Sequence, residues 1–395
     1  MAKKNAKTTT ARKQPGRFAH PFFTLVPPEE RSRVPGVGQR LTDHIKGTLL
    51  PIPAVRGDST MTLADVIGKN GAKDIEANGL ITFHAVGDTG NPSQPNQQMV
   101  ADAMTEDYNI AQPHTAPAFF MHLGDVNYYN NTDNGYHAQF YEPYKTYPGK
   151  IIAIPGNHDG ELFKYDGSSV GQKQTLEAFI RNFCQKQPGV PAAAGSIYRE
   201  MVAQPGVYWL LDTPFATIIG LYSNAAENPG YIAADSIGDK QKKWLIARLK
   251  DVASARQAGT RKALIIAAHH PALSKGGHSG SDEMLADIDE ACSGNGLVPD
   301  LVLGAHAHNY QRFTRTVSLN GKPSTVPYIV AGCGGRGITH ATDADGAVTG
   351  DHSYDKSLNG YGYLTVTVSK TKLTVKMIQV TPQGKSDFDT VSVKL

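Results

Sequence analysis

Five short clusters of Asp, Asn, His and Gly recur along the chain, each directly after an apolar run. In order they are Gly87-Asp88, Gly124-Asp125, Gly156-Asn157-His158, His269-His270 and His306-Ala307-His308. Carboxylate and amide oxygens together with imidazole nitrogens bind divalent and trivalent cations. Two such ions about 3.5–4 Å apart can hold the attacking and leaving oxygens of a phosphoryl transfer. The residue types therefore favour a pair of metal ions and phosphate chemistry.

Taken one at a time, the clusters differ in what they indicate. Asp and Gly favour turns without any ligand, so a simple turn is the better interpretation of Gly87-Asp88 alone. The GNHD at residues 156–159 is more specific, because glycine allows close backbone approach beside a carbonyl ligand and a titrating imidazole. Strand alternation would send His306 and His308 to one face, where a structural role requires partners for two buried rings. Metal binding is the better interpretation of that pair.

The apolar runs predict the strands that must position these clusters. Buried strands read as continuous apolar runs, and open α/β sheets place ligands beyond the carboxyl ends of their strands. The five runs that precede the clusters are residues 81–86, 116–123, 150–154, 263–268 and 300–305. Further patterns predict helices at Thr62–Ile67, Thr175–Cys184 and Asp239–Val252, and strands at Val207–Leu211, Ala216–Tyr222, Val326–Ala331, Gly362–Ser369, Leu373–Val380 and Thr390–Leu395. We expect five strand ends to converge on one site.

Length and charge predict one large domain with a basic tail. The 395 residues exceed the roughly 250–300 at which single cores stop growing. Six of the 39 Lys and Arg residues lie within 1–28, which contain no acid, so the remainder carries 33 basic and 36 acidic residues. We expect a disordered tail at 1–40, an extension packed on the core at 41–78, and a catalytic domain at 79–395 with a loop or cap insertion at about 161–204. No aromatic platform accompanies the tail, so specific nucleic-acid binding is not expected.

The sequence also bears on location. No apolar segment of about 7–15 residues follows the early basic residues, and no run approaches the roughly 18 apolar residues of a membrane span. We therefore expect a cytoplasmic protein without a membrane span, with a periplasmic or secreted location as the alternative. The three cysteines, Cys184, Cys292 and Cys333, are odd in number and widely spaced, so we interpret them as structural thiols. The oligomeric state is not indicated by the sequence.

The order of the motifs is more informative than any one of them. GDxG, GDxxY, GNHD, HHP and GAHAH resemble the successive metal-binding motifs of the calcineurin-like metallophosphoesterases, and specifically of the purple acid phosphatases, over roughly residues 79–313. The resemblance implies an α/β fold, a four-layer sandwich of two mixed β-sheets flanked by helices. It also implies a first metal ion held by Asp88, Asp125, Tyr128 and His308, with Asp125 bridging to a second ion held by Asn157, His269 and His306.

Tyr128 decides the branch of the family. Many members carry DxH at the first motif, but the corresponding position here is Gly90, and the purple acid phosphatases supply a tyrosinate three residues after the bridging Asp, where Tyr128 lies. This implies Fe(III) at the Tyr128 site and Fe(II), Zn or Mn at the second site. The alternative is an ordinary surface tyrosine. The family's usual Gly before the HxH is Ala305 here, which requires either an ordinary backbone or a shifted turn.

Two further histidines complete the predicted chemistry. His158 lies where the family has a residue near the leaving group, so we expect a general acid. His278 follows His269 by nine residues, the spacing of a phosphate-contacting histidine, with an exposed loop histidine as the alternative. The predicted enzyme is a phosphomonoesterase of the acid phosphatase type that uses a metal-bound hydroxide on a small phosphorylated substrate. The alternatives are a phosphodiesterase or nuclease on the same binuclear site, and a non-catalytic binding protein of the same fold.

Overall fold

Two mixed β-sheets form the centre of the protein. The computed structural model describes residues 49–91, 95–109, 111–164 and 166–395, and the predicted tail at 1–40 lies outside them. In the described residues the strands are β1 (Thr60–Thr62), β2 (Leu80–Val86), β3 (Phe119–His122), β4 (Lys150–Ala153), β5 (Trp209–Asp212), β6 (Ala216–Leu221), β7 (Ala263–Ala268), β8 (Leu301–Gly304), β9 (Tyr310–Leu319), β10 (Lys322–Ala331), β11 (Val348–Thr349), β12 (His352–Leu358), β13 (Tyr361–Ser369), β14 (Lys372–Thr381) and β15 (Gly384–Lys394).

Each sheet contains a run of adjacent parallel strands whose carboxyl ends carry the predicted site. One sheet has the order β15-β14-β13-β2-β3-β4, in which β2, β3 and β4 are mutually parallel. The other has the order β1-β5-β6-β7-β8-β10-β9-β12-β11, in which β6, β7, β8 and β10 are parallel. The strands that precede the five polar clusters are thus β2, β3 and β4 in one sheet and β7 and β8 in the other.

Helices lie on the outer faces of both sheets. In the described residues they are α1 (Leu63–Asn78), α2 (Pro95–Thr105), α3 (Asp133–Tyr136), α4 (Asn157–Gly160), α5 (Glu177–Phe183), α6 (Lys240–Gln257) and α7 (Asp282–Ser293), with a π-helical turn at His137–Tyr141 and short 3-10 turns at Pro113–Thr115 and Ala192–Ala194. Helix α2 contacts β13 and β14, and α6 contacts α7. The Ser281 hydroxyl begins α7 by accepting a hydrogen bond from the Met284 N–H.

Strand β7 shows how one sheet serves two hydrophobic layers. Ala263, Ile265 and Ala267 belong to the core between the sheets, which also contains Phe83 of β2. The alternate residues of β7 pack with apolar side chains of α6 and α7 instead. Because successive strand side chains point to opposite faces, a strand buried on both faces must be apolar throughout, as the run ALIIAA is.

The predicted fold class is confirmed. The five predicted strand ends are present, and the helix and strand patterns match α5, α6, β5, β6, β10, β13, β14 and β15 within a few residues. The helix expected at Thr62–Ile67 is longer: α1 loses helical geometry at Gly68 (φ 79°, ψ 161°) and then continues to Asn78. Helices α2 and α7 and strands β9 and β12 were not predicted. The three cysteines are buried and form no disulfide.

Candidate metal centre

Seven side chains meet where strands of the two sheets end. The six-stranded sheet supplies four of them from the segments after β2, β3 and β4, and the nine-stranded sheet supplies three from those after β7 and β8. They are the residues that the motifs indicated: Asp88, Asp125, Tyr128, Asn157, His269, His306 and His308. All are buried except His308, whose side chain is 12% exposed. The site therefore lies at the junction of the sheets, with one open side.

The seven residues form two neighbouring groups. In the first, the Tyr128 hydroxyl lies 2.9 Å from Asp88 Oδ1 and 3.2 Å from His308 Nε2. In the second, His269 Nε2 lies 3.2 Å from Asn157 Oδ1 and 3.3 Å from Asp125 Oδ2. Since His269 Nε2 is also 3.9 Å from Asp88 Oδ1, the groups adjoin. Potential ligand atoms of Asp125, His269 and His306 lie within 4.8 Å of one another.

Backbone carbonyls orient the three candidate histidine ligands. The contacts are His269 Nδ1 to Leu123 O at 2.9 Å, His306 Nε2 to Glu227 O at 2.7 Å and His308 Nδ1 to Gly337 O at 2.8 Å. A neutral imidazole that donates one N–H to a carbonyl keeps the lone pair on its other nitrogen. Each ring therefore presents a free nitrogen: Nε2 of His269, Nδ1 of His306 and Nε2 of His308.

The backbone of three candidate ligands adopts a left-handed conformation. The φ angles are 55° at Asp88, 54° at Asp125 and 65° at His306. Such φ values in residues other than glycine cost on the order of 1–3 kcal/mol each and persist where the surroundings determine them. Ala305 keeps an ordinary negative φ, because the neighbouring His306 makes the sharp turn. Strand β8 ends at Gly304, so strand alternation does not direct the two histidines as the sequence suggested.

Asp125 carries the clearest sign of a missing cation partner. Its Oδ1 accepts a hydrogen bond from the His158 N–H at 3.0 Å, but its fully buried Oδ2 has no well-aligned hydrogen bond and only the His269 Nε2 at 3.3 Å beside it. Burial favours the neutral acid, yet the positive potential of His269 and His158 holds the pKa of Asp125 well below its usual range. Burial likewise opposes a charge on His269, but the Asp125 and Asp88 carboxylates raise its pKa to about 9. Without a metal ion, a proton on His269 Nε2 supplies the positive charge that the neighbouring carboxylates favour. The carboxylate, amide and imidazole donors at this place fit a metal ion in that role.

The ring of Tyr128 occupies the space beside Gly90. A Cβ added at Gly90 would lie 2.8 Å from both Gln139 Oε1 and Val126 O, and 3.0 Å from Tyr128 Cδ2. Gln139 fixes the tyrosine, because its Oε1 accepts from the Tyr128 N–H at 3.0 Å and its Nε2 donates to Tyr128 O at 3.1 Å. Any side chain at position 90 would therefore require these neighbouring atoms to move. The side chain of Tyr128 points into the site instead.

The Tyr128 phenol is neutral unless a cation is close. Burial, then the charges of Asp125 and Asp88, raise its pKa well above the ordinary value. Burial also raises the pKa of the Asp88 carboxyl group. Without a cation nearby, the Tyr128 hydroxyl keeps its proton and donates a hydrogen bond to Asp88 Oδ1. A metal ion between these oxygens would reverse both effects, since a bound cation is the largest charge in such a site.

His158 lies beside the metal groups, as its motif predicted. The ring is 4.5 Å from the Tyr128 ring and 4.8 Å from the Tyr129 ring, between centroids. Its Nδ1 lies 2.9 Å from Glu161 Oε2, although neither atom is aligned for a hydrogen bond. Burial lowers the pKa of His158, but Asp125 and the pair with Glu161 outweigh it and raise the pKa to about 9. The imidazole is therefore suited to carry a proton.

His278 also lies at the site. Its ring centroid is 4.1 Å from that of His306 and 5.9 Å from that of His308, and its side chain is 17% exposed. The Asn228 amide nitrogen lies 2.9 Å from Nδ1 of His278 and donates to it in the tautomer with the proton on Nε2. Burial lowers the pKa of His278 to about 4, so this ring is a neutral hydrogen-bond donor at neutral pH. His270 is held by Ser223 Oγ at 2.7 Å and Ala226 O at 2.8 Å, and has no free nitrogen.

Several residues at the site were missed in the sequence. Buried Asp159 accepts from the backbone N–H groups of Gly156 and Val126, at 2.9 and 3.3 Å, and so joins the segments after β4 and β3. Glu227 contributes the carbonyl that orients His306. Arg336 lies over the Tyr128 ring. The one sequence signal for Arg336 is the glycine-rich stretch 332–337, which follows the end of a buried strand as the five clusters do.

The chain was compared with known protein families, curated sequences and solved structures. Residues 81–310 match the family described as calcineurin-like phosphoesterase. Among solved structures, the chain resembles GAP50, the anchor in the inner membrane complex of Plasmodium, with a TM-score of 0.52, 13% identity, and coverage of 80% of this chain and 89% of that one. PhoD gives a TM-score of 0.47 at 13% identity, with coverage of 80% and 70%, and a dimetal phosphatase from Danio rerio gives 0.42 at 8%, with coverage of 80% and 98%. No curated protein sequence matched the chain.

The helices of the described residues were also compared with the dimensions of a lipid bilayer. None of them combines the length and the apolar character that crossing a membrane requires.

Proposed function

The chain belongs to the calcineurin-like phosphoesterase family, and from this premise we propose that it hydrolyses phosphate monoesters with two metal ions. The observation that carries the proposal is that potential ligand atoms of buried Asp125, His269 and His306 lie within 4.8 Å of one another, next to the group of Asp88, Tyr128 and His308. Oxygen donors beside neutral imidazoles suit a binuclear centre. A purely structural role would leave the buried Asp125 Oδ2 without a hydrogen bond, which costs free energy.

Each neighbouring group supplies one metal site. The first ion would be held by Asp88, Asp125, Tyr128 and His308, and the second by Asn157, His269 and His306 together with Asp125. Tyr128 contributes a phenolate, a hard donor that favours Fe(III), and the second site takes Fe(II), Zn or Mn. The support for Tyr128 is its hydroxyl between Asp88 and His308, together with the lack of room for a side chain at Gly90.

The protein's own residues then position the ester and supply a proton. When bound, the metal ions polarise the phosphoryl group and lower the pKa of the attacking water. The neutral His278 donates its Nε2–H to a phosphoryl oxygen. As the water oxygen bonds to phosphorus, the bond to the ester oxygen breaks, and His158 gives its proton to that departing oxygen. The Glu161 carboxylate, 2.9 Å from His158 Nδ1, favours the protonated ring.

Two alternatives remain distinct from this proposal. A phosphodiesterase or nuclease would use the same centre and differ in how it receives the second ester group. A non-catalytic binding protein would keep the fold without turnover, and a similar structure is described as an anchor. The complete set of donors favours an enzyme over the second alternative.

The test combines metal analysis with paired substrates. We expect about two metal ions per chain, and faster hydrolysis of an aryl phosphate monoester than of a diester with the same leaving group. Asp125→Ala should lose metal and fall to background activity. The control, Asp251→Ala, changes a carboxylate that is 64% exposed on the outer helix α6 and should behave as the wild type. Near-normal turnover by the Asp125 variant would refute the proposal, and faster diester hydrolysis would favour the first alternative.

A further inference from the structure

The loop after β10 is built against the candidate metal centre. It has the sequence Gly-Cys-Gly-Gly-Arg-Gly at residues 332–337. The Gly334 N–H donates to Gly87 O at 3.1 Å, and the Arg336 N–H donates to Asp88 O at 2.9 Å. A Cβ at Gly334 would lie 2.5 Å from Gly87 O, so only glycine allows this approach. The backbone of Arg336 is thus fixed to the backbone of Asp88.

The side chain of Arg336 lies at the open side of the centre. It is half-buried, and its guanidinium carbon lies 4.3 Å from the ring centre of Tyr128 and 5.5 Å from that of Tyr129. The Tyr128 hydroxyl in turn contacts Asp88 and His308. Contact with these two rings, whose planes are inclined by 67°, restricts the guanidinium, and its five N–H donors exceed what one tyrosine hydroxyl can accept.

Arg336 differs from the other arginines in its partners. Six arginines of the described residues form ion pairs: Arg181, Arg248, Arg256, Arg261, Arg312 and Arg315. Arg56 and Arg199 donate to backbone carbonyls instead. Within residues 49–395, apart from the short undescribed gaps, no carboxylate lies within 4 Å of the Arg336 guanidinium, and no backbone carbonyl accepts from it. Its side chain is hydrogen-bonded to Tyr129 and lies over the Tyr128 ring, and neither tyrosine is a close carboxylate that would neutralise its charge.

Resting on the phosphoesterase function proposed above, we propose that Arg336 binds the phosphoryl group of the substrate and determines the preference for monoesters. A guanidinium can donate two parallel hydrogen bonds to phosphate oxygens, which gives both energy and orientation. A monoester has three non-bridging oxygens and up to two negative charges, whereas a diester has two such oxygens and one charge. An additional cation beside the centre therefore stabilises a bound monoester more than a bound diester.

A different role for Arg336 would leave a different signature. If its function were only to hold the Tyr128 ring, replacement would alter metal content or the visible spectrum and leave phosphate affinity of the loaded protein unchanged. If it binds the phosphoryl group, replacement weakens phosphate binding and leaves the metal content unchanged. Binding of inorganic phosphate, measured by calorimetry on metal-loaded protein, separates the two roles without requiring turnover.

The experiment compares Arg336→Met with wild-type protein at constant ionic strength. We expect the Kd for inorganic phosphate to rise about 10- to 100-fold, the range for loss of charge-assisted hydrogen bonds. KM for the aryl monoester should rise in parallel, and KM for the matching diester should change less than about threefold. Arg336→Gln, which removes the charge but keeps a planar polar end, gives the same contrast should the Met variant not fold.

Arg261→Met provides the matched control. Arg261 precedes β7 and lies at the opposite end of that strand from His269. Its replacement removes one positive charge, while its partner Asp300 keeps the ion pair with Arg256. Phosphate affinity should be unchanged in this variant. Wild-type phosphate affinity in the Arg336 variants would overturn the inference while leaving the proposed function intact. Metal-loaded wild-type protein that binds no phosphate would overturn the proposed function itself, and the inference with it.

Discussion

Replacing Tyr128 by phenylalanine removes one hydroxyl from the candidate centre and little else. The ring would keep its contacts with His158 at 4.5 Å and with the Arg336 guanidinium at 4.3 Å. The lost atom donates to Asp88 Oδ1 at 2.9 Å and lies 3.2 Å from His308 Nε2. A contact between a metal ion and a phenolate is worth at least as much as a hydrogen bond to a charged group, about 1.5–3 kcal/mol, and each 1.4 kcal/mol is about a tenfold change in affinity. We therefore expect affinity for the first metal ion to fall about 10- to 100-fold.

The assay is a metal titration followed by visible absorption and metal analysis. If Tyr128 binds Fe(III) as a phenolate, the wild-type protein absorbs visible light by charge transfer, and Tyr128→Phe is colourless even when excess metal restores occupancy. The control is Tyr129→Phe, since Tyr129 is the next residue but is 39% exposed. This variant should keep both colour and affinity.

Two results would refute this reasoning. A wild-type protein that binds two ions without a visible band would show that Tyr128 is a neighbour of the first ion and not its phenolate ligand. An unchanged first-site affinity in Tyr128→Phe would show that the hydroxyl contacts only protein atoms. Equal losses in the Tyr128 and Tyr129 variants would also contradict a specific role, because only one of the two hydroxyls contacts Asp88.

Four further predictions concern Gly90, the buried pair His84 and Asp107, and the segment before residue 41. Gly90→Ala should displace the Tyr128 ring, cost about 1–3 kcal/mol in the free energy of unfolding measured with urea, and lower first-site occupancy. Burial lowers the pKa of His84, so below pH 6.5 the unfolded chain binds more protons than the folded one. The free energy of unfolding should therefore fall as the pH drops below 6.5, and His84→Phe should flatten this dependence in urea titrations. Burial would raise the pKa of Asp107, but hydrogen bonds, including one from His84, outweigh it and hold the pKa at about 2. The contribution of Asp107 to the free energy of unfolding is therefore complete above pH 3.8 and is lost as the pH falls toward 2. Asp107→Asn should remove this loss of stability at low pH. Deleting residues 1–40 should leave monoester hydrolysis unchanged, and a large loss would show that this segment takes part in activity.

The site could be predicted from the sequence as far as it depends on strand ends. An apolar run such as ALIIAA predicts a buried strand, and the polar residue after it must lie at the carboxyl edge of the sheet. The order of five such ends then indicated the two metal groups. The metal identities, the roles of His158 and His278, and the location in the cell stay predictions.

The residues that the sequence did not indicate reach the site only through contacts formed in the folded chain. Gln139 holds both the N–H and the C=O of Tyr128 from a π-helical turn eleven residues away, and no spacing rule relates the two. Glu227 contributes through its carbonyl, which every residue type possesses. Arg336 has no metal donor, so a search for ligands does not select it. Helix α7, which lies between His269 and His306 in the sequence, was not predicted.

The origin of the seven donors has a mechanical consequence. Asp88, Asp125, Tyr128 and Asn157 belong to one sheet, whereas His269, His306 and His308 belong to the other. In the proposed centre each ion would therefore be a non-covalent cross-link between two layers that are otherwise joined by apolar packing and a few hydrogen bonds. Because binding restricted to the native state adds stability in proportion to the logarithm of ligand concentration, removal of the ions should loosen the seam between the layers before it loosens either sheet. Amide hydrogens near β4 and β8 would then exchange faster in chelator, while those of β14, far out in its own sheet, would keep their protection.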